Sequence, residues 1–366
     1  MKTHLVTRLL AFVMASSLAT AAETQVSITG ENFHINGSPT YEGRNWRGHS
    51  IEGLLMNARL VQATFDDVNP ATRERWAYPD TGVWDAERNV REFLAAMPTY
   101  RRHGLLGLAV NLQGGSPEGY SKTQPWENNA FNPDGSLRPA FAERMGRVID
   151  FADQLGMVVI LGYFYFGQDQ RLTDEAAIIR AVDAATNWIL DRGWRNVIIE
   201  VNNECDVGAY DHAILKPARV TELIERVKTN TRNGRRLLVS TSFKGNTVPT
   251  SNVVAASDFV LVHGNGVHDS KRIVEIVEQT RALPGYTPKP IVFNEDDHFG
   301  FDLPKNNFIS AVSARAGWGY FDFRMDGEGY DAGYQSVPVN WGLSSDRKIG
   351  FFKLLAEITG ANPATP

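Results

Sequence analysis

From residue 40 onward, short apolar runs alternate with longer segments in which apolar side chains recur every three or four positions. The short runs fall at 40–46, 105–111, 157–163, 196–202, 236–242, 259–263, 290–294 and 317–323. Val158-Val-Ile-Leu161 and Val197-Ile-Ile199 are continuous and rich in β-branched residues, the character of parallel strands covered on both faces. The longer segments predict helices over 85–103, 139–155, 173–192, 217–231, 270–282, 305–315 and 346–358. In the first of these, Val90, Phe93, Leu94 and Met97 form one apolar stripe and Gly104 ends it. Thr173-Asp-Glu-Ala176 puts acids into a first turn, and Gly193 closes that helix. Only the connection between the fifth and sixth runs lacks a long helical pattern.

Eight strands alternating with helices predict an α/β fold, the (β/α)8 TIM barrel. An open doubly wound sheet would call for a Gly-rich phosphate turn after an early strand, and neither GxGxxG nor GxxxxGK[ST] occurs. Ahead of the barrel, residues 26–40 alternate apolar and polar and carry Asn36-Gly37, a tight-turn pair. They predict a short N-terminal β-hairpin that closes one end of the main body. The first 22 residues read differently: Lys2, His4 and Arg8 are basic, 9–18 is a short apolar run, and Ala19-Thr20-Ala21 is small. That is the pattern of a secretory signal, too short for a membrane span, and it predicts a secreted or periplasmic protein. The expected division is a signal at 1–22, a hairpin at 23–40 and a catalytic barrel at 41–366.

Charge narrows the partners. The 366 residues hold 37 basic and 42 acidic side chains, a net charge of −5. This gives no basic footprint for nucleic acid or an anionic membrane. Cys205 is the single cysteine, so an exported chain would have no internal disulfide and must be held by its core.

Strand ends carry the chemistry in a TIM barrel. The fourth run reads Val197-Ile-Ile-Glu-Val-Asn-Asn-Glu204 and the seventh Pro290-Ile-Val-Phe-Asn-Glu295, each ending in Asn-Glu. Strands four and seven deliver two carboxylates that face one another across the barrel mouth. Glycoside hydrolysis needs such a pair, one to protonate the leaving oxygen and one to attack the anomeric carbon or activate water. Glu200, four residues before Glu204, lies inside the apolar run and reads as half of a buried ion pair with an arginine.

With Phe33-His-Ile-Asn-Gly-Ser-Pro39, Glu42-Gly-Arg-Asn-Trp46, Asn203-Glu204 and Glu295, the sequence resembles the retaining glycoside hydrolases of the cellulase-like (β/α)8 clan. The resemblance implies Glu204 as acid/base, Glu295 as nucleophile and Asn203 as ligand of the sugar 2-hydroxyl, with no cofactor and no metal. It also implies an oligosaccharide or polysaccharide substrate. The chain departs from the clan pattern in two places. Cys205-Asp206 follows the acid/base where many members have Pro, and the sixth run ends Leu261-Val-His-Gly-Asn265 where many have a Tyr. His263 or Asn265 is then the expected partner of the nucleophile.

Other strand ends supply candidate sugar contacts. They are Arg44, Asn45 and Trp46 after the first run, Asn111 after the second, Tyr163 after the third, Lys244 after the fifth and Trp318 on the eighth. Two long polar segments, 52–84 and 114–137, are expected to shape the cleft. Two alternatives stay open at this point. One is a metal-dependent barrel hydrolase built on His263, His268, Asp296 and His298. The other is a carbohydrate-binding barrel without turnover.

Overall fold

The computed structural model describes residues 24–364, so the signal-like segment lies outside the described residues. Eight parallel strands alternate with helices around a closed ring, the (β/α)8 barrel. The strands are Asn57–Arg59, Gly107–Asn111, Val158–Phe164, Val197–Asn202, Leu238–Ser240, Val260–His263, Ile291–Glu295 and Gly319–Tyr320. One ladder joins the eighth strand to the first and runs on to the fifth. The sixth pairs with the seventh, and a bridge between Val292 and Gly317 links the seventh to the eighth segment. Between the fifth and sixth, Asp258 N donates to Val239 O at 3.0 Å.

Helix boundaries follow the end signals in the sequence. Asp85 caps Ala86–Arg102 by accepting from Glu87 N and Arg88 N, and Asp174 caps Glu175–Arg192. Gly193 ends the latter with φ of 80°, a conformation that only glycine takes without strain. The weak fifth connection holds only Ser251–Ala256. No helix among the described residues is long and apolar enough to cross a membrane.

The first barrel strand is not where the sequence pattern placed it. Residues 40–46 form no barrel strand; Asn45–Trp46 instead pairs antiparallel with His49–Ser50. The barrel begins at Asn57–Arg59, inside the segment expected to be loop. Its side chains explain the miss. Met56, Ala58 and Leu60 belong to the packing shared with the helices, whereas Asn57 and Arg59 alternate with them and face the lumen. The lumen is apolar only at its lower end. There Leu55, Ala109, Ile160, Ile198, Leu261 and Val292 meet in one cluster with Phe33.

Phe33 belongs to the N-terminal β-structure, which has three strands, Val26–Thr29, Asn32–Ile35 and Ser38–Pro39. Asn36-Gly37 makes the second turn with φ of 54° and 86°, as the tight-turn pair predicts. The unit is tied down by Val26 N on Arg195 O and by Arg281 on Glu31. Fully buried, Phe33 meets Phe259 edge-on at 5.9 Å and closes the lower lumen. Phe33→Ala is expected to cost about 3–5 kcal/mol of stability, because the plug leaves a cavity that a closed ring cannot collapse around. Equilibrium urea unfolding reads this; a loss under about 1 kcal/mol would show that the lumen does not depend on Phe33.

Candidate active site

Three strand ends converge above the lumen. The fourth strand runs on into Asn203 and Glu204, and Glu204 turns there with φ of 50°. The fifth strand's continuation holds that turn: Ser242 Oγ accepts from Glu204 N and Ser242 O from Cys205 N, each at 2.9 Å. The seventh strand ends on Glu295. The register between strands six and seven slips after Val262, which sets His263 opposite Glu295. As a result, the His263 ring lies between the two carboxylates, Nδ1 being 3.0 Å from Glu204 Oε1 and 3.7 Å from Glu295 Oε2. Oxygen atoms of Glu204 and Glu295 come within 4.8 Å of each other.

Glu295 is held from two sides. Arg59 Nε lies 2.7 Å from Oε2, a charge contact, and Asn265 Nδ2 donates to Oε1 at 2.8 Å. Burial pushes the Glu295 carboxyl up from the usual carboxylate range, while Arg59, His263 and the Asn265 amide pull back toward the ionised form. Arg59 itself is 1% exposed; burial opposes its charge, but Glu295 and Glu200 outweigh burial and keep the guanidinium ionised. His263 shows the same balance, its pKa raised because Glu295, Glu204 and Glu200 together overcome the burial that works against protonation. Among the described residues Glu200 makes no direct ion pair; its Oε1 accepts from Asn294 Nδ2 at 3.3 Å.

The two carboxylates open into a cavity of about 330 Å³, walled by Tyr120, Lys122, Tyr165, Phe166 and Phe321. Asn203 is buried, and its Oδ1 has no hydrogen-bond partner among the described residues. The same holds for both amide atoms of Asn111, which packs over Gly162. Neither is among the residues that wall the cavity, and a buried amide left unpaired is one that a ligand or an ordered water would satisfy.

Asn203, Glu204, His263, Asn265 and Glu295 are thus brought together, and Asn111 is placed in the upper lumen. Six other expectations need correction. Arg44 donates to the carbonyls of Glu357 and Ile358, and Trp46 Nε1 to Glu357, at the C-terminal end of the last helix. That is the opposite end of the barrel, because each helix runs back from the strand tops; Asn45 is exposed in the same place. Tyr163 points outward to Thr186 Oγ1 at 3.1 Å on the third helix, and it is Tyr165 that faces the cavity. Lys244 stands exposed on the rim, 4.0 Å from Asp206, and Lys122 is the lysine on the cavity wall. Trp318 is fully buried, stacked on Phe308 at 4.8 Å. Its Nε1 donates to Asp296 Oδ2 at 2.9 Å, so it is a strut and not a sugar platform. Arg59 and Tyr120 are the site residues that the sequence reading missed. The alternation Leu55-Met-Asn-Ala-Arg-Leu60 is a signal that finds Arg59; Tyr120 sits in a long loop with none.

Metal chemistry finds limited support in the donor set. Glu204, His263 and Glu295 present three ligand atoms within 4.8 Å, the one such group among the described residues. However, Glu295 already faces the Arg59 cation and the Asn265 amide, which disfavour a divalent ion there. The set His263, His268, Asp296 and His298 does not assemble. Asp296 is buried under the turn, with its carboxyl pushed up to about 7 by burial despite bonds from Trp318, Asn307 and His298 N. Cys205 is buried, and burial pushes its thiol up, away from the reactive thiolate.

No protein-family model matches the chain, and no curated protein does. Solved structures do share its fold. An endo-1,4-β-mannanase from Rhizomucor miehei matches with a TM-score of 0.57 at 11% identity, over 92% of this chain and 100% of that one. A glycoside hydrolase family 5 mannosidase from the same fungus gives 0.55 at 12%, over 93% and 98%. A family 5 glycoside hydrolase from Bacteroides vulgatus gives 0.55 at 14%, over 91% and 70%. Of a longer Bacteroides vulgatus chain, described as a glycoside hydrolase, the protein spans 60%. At these identities the likeness is one of fold.

Proposed function

We propose that this protein is an exported retaining β-glycosidase acting on oligosaccharides or polysaccharides. The observation that carries the reading is the carboxylate pair: Glu204 and Glu295, from the fourth and seventh strands, with oxygens within 4.8 Å over one cavity. Retaining enzymes hold their carboxyl groups about 5–5.5 Å apart, while inverting ones leave about 6.5–9.5 Å for a water between them. The fold shared with a family 5 mannosidase, an endo-1,4-β-mannanase and a broad-specificity endoglucanase supports the same reading. The basic–apolar–small start of the sequence supports export.

In the first step a Glu295 oxygen bonds to the anomeric carbon, Glu204 gives its proton to the glycosidic oxygen, and the aglycone leaves as a neutral alcohol. In the second, water attacks the same carbon, Glu204 takes the water's proton, and Glu295 leaves as a carboxylate. Arg59 and Asn265 keep Glu295 aimed and favour its charge. His263 lies within hydrogen-bonding distance of Glu204 and fixes its orientation. The Asn203 amide is left for a sugar hydroxyl.

Two inversions give net retention. Proton NMR of aryl β-glycoside hydrolysis, read before mutarotation, is expected to show the β-anomer first. An α-anomer as the first product would replace this mechanism with a single displacement.

A further inference from the structure

The cavity is closed on one side by a strap. The loop after the second strand carries Tyr120 across the barrel mouth to the loops after strands six and seven. There the Tyr120 hydroxyl donates to Asp297 Oδ2 at 2.8 Å and accepts from Asn265 Nδ2 at 2.6 Å. Strands two and six stand on opposite sides of an eight-strand ring, so this contact spans the opening. Gly266 N donates to Asp297 Oδ1 at 3.1 Å and ties the two anchoring loops together. Along its flank the Tyr120 ring meets Phe321 and Phe323 edge-on at 5.5 and 5.0 Å. Gly119, with φ of 98°, makes the close approach possible, since a Cβ there would sit 3.0 Å from the Phe323 ring. The strap is bonded at its tip and packed along its side.

Its position relative to the two carboxylates sets a direction. The Asn265 amide that holds Tyr120 also holds Glu295, so the wall stands on the nucleophile's side. The Glu295 side chain is 7% exposed and that of Glu204 14%, so solvent reaches the acid more readily than the nucleophile. The acid protonates the departing group, which therefore leaves toward the open side. The sugar bonded to Glu295 occupies the closed side. At about 330 Å³ the cavity lies at the lower end of the roughly 300–1,000 Å³ range of ligand sites, room for a terminal sugar and its neighbour and not for a long chain.

Resting on the glycosidase reading, we propose that the enzyme works from chain ends, removing the non-reducing terminal sugar, and that the Tyr120 strap blocks a chain from continuing past that sugar. The sugar held by the nucleophile supplies the anomeric carbon of the broken bond. A closed wall beyond it means that nothing else is attached to it.

The test uses reducing-end-tagged β-linked hexasaccharides of the manno, cello, xylo, galacto and glucosamine series, each with a free or a chemically blocked non-reducing end. The expected result is stepwise loss of single sugars from free-ended chains and at least a hundredfold slower cleavage of blocked ones. Tyr120→Ala should narrow that gap tenfold or more, with internal fragments appearing early. Tyr120→Phe, which keeps the ring packing and loses both hydrogen bonds, should fall between. Equal cleavage of free and blocked chains by the unaltered enzyme, or no change of product pattern in Tyr120→Ala, overturns the strap. Absence of cleavage of every series removes the glycosidase reading, and the strap proposal with it.

Discussion

Replacing Glu295 with alanine is expected to lower kcat on aryl β-glycosides by about 10⁴- to 10⁶-fold, the range seen when a nucleophile that works as part of a unit is removed. The size of the effect follows from what surrounds the carboxylate. Arg59 at 2.7 Å and the Asn265 amide at 2.8 Å both aim at Glu295. Glu204 is turned toward His263 and cannot take over the attack without leaving its own post. Activated aryl substrates do not relieve the loss, since the missing group makes the bond to carbon whatever the leaving group is. Initial rates of the purified variant, with circular dichroism to show that the barrel is intact, check the prediction. A variant retaining a tenth of the activity would mean that Glu295 is not the nucleophile.

The same surroundings show what the sequence disclosed and what it hid. Val158–Phe164 and Val197–Asn202 are buried throughout, so their apolar runs announced them. Asn57–Arg59 was hidden because the upper lumen inverts the usual rule: its inward residues are polar, and only the outward ones are apolar. Reading 40–46 as the first strand then assigned Arg44 and Trp46 to the wrong end of the barrel. The Asn-Glu endings of strands four and seven stayed legible because each follows a long apolar run, where a carboxylate stands out. Trp318 and Tyr163 failed for a different reason. An aromatic near a strand top can face lumen or helix, and one position of register decides which. Tyr120 reaches the site through a loop whose path depends on contacts with Asp297, Phe321 and Phe323, far away in sequence.

Removing the acid should give a different signature from removing the nucleophile. With Glu204→Ala, substrates whose aglycone is a poor leaving group need the missing proton, and their cleavage is expected to slow by about 10²- to 10⁴-fold, the usual contribution of a placed general acid. Dinitrophenyl β-glycosides need no proton on departure, so Glu295 still displaces them at near the original rate. The second step then stalls, because water has lost its base, and a burst of dinitrophenol should precede a slow steady state. Azide requires no base. Its terminal nitrogen attacks the anomeric carbon, Glu295 leaves as a carboxylate, and turnover should recover with a β-glycosyl azide as product. Equal slowing of both leaving-group classes, with no recovery in azide, would remove Glu204 from the acid's place and leave its nearness to Glu295 without a chemical use.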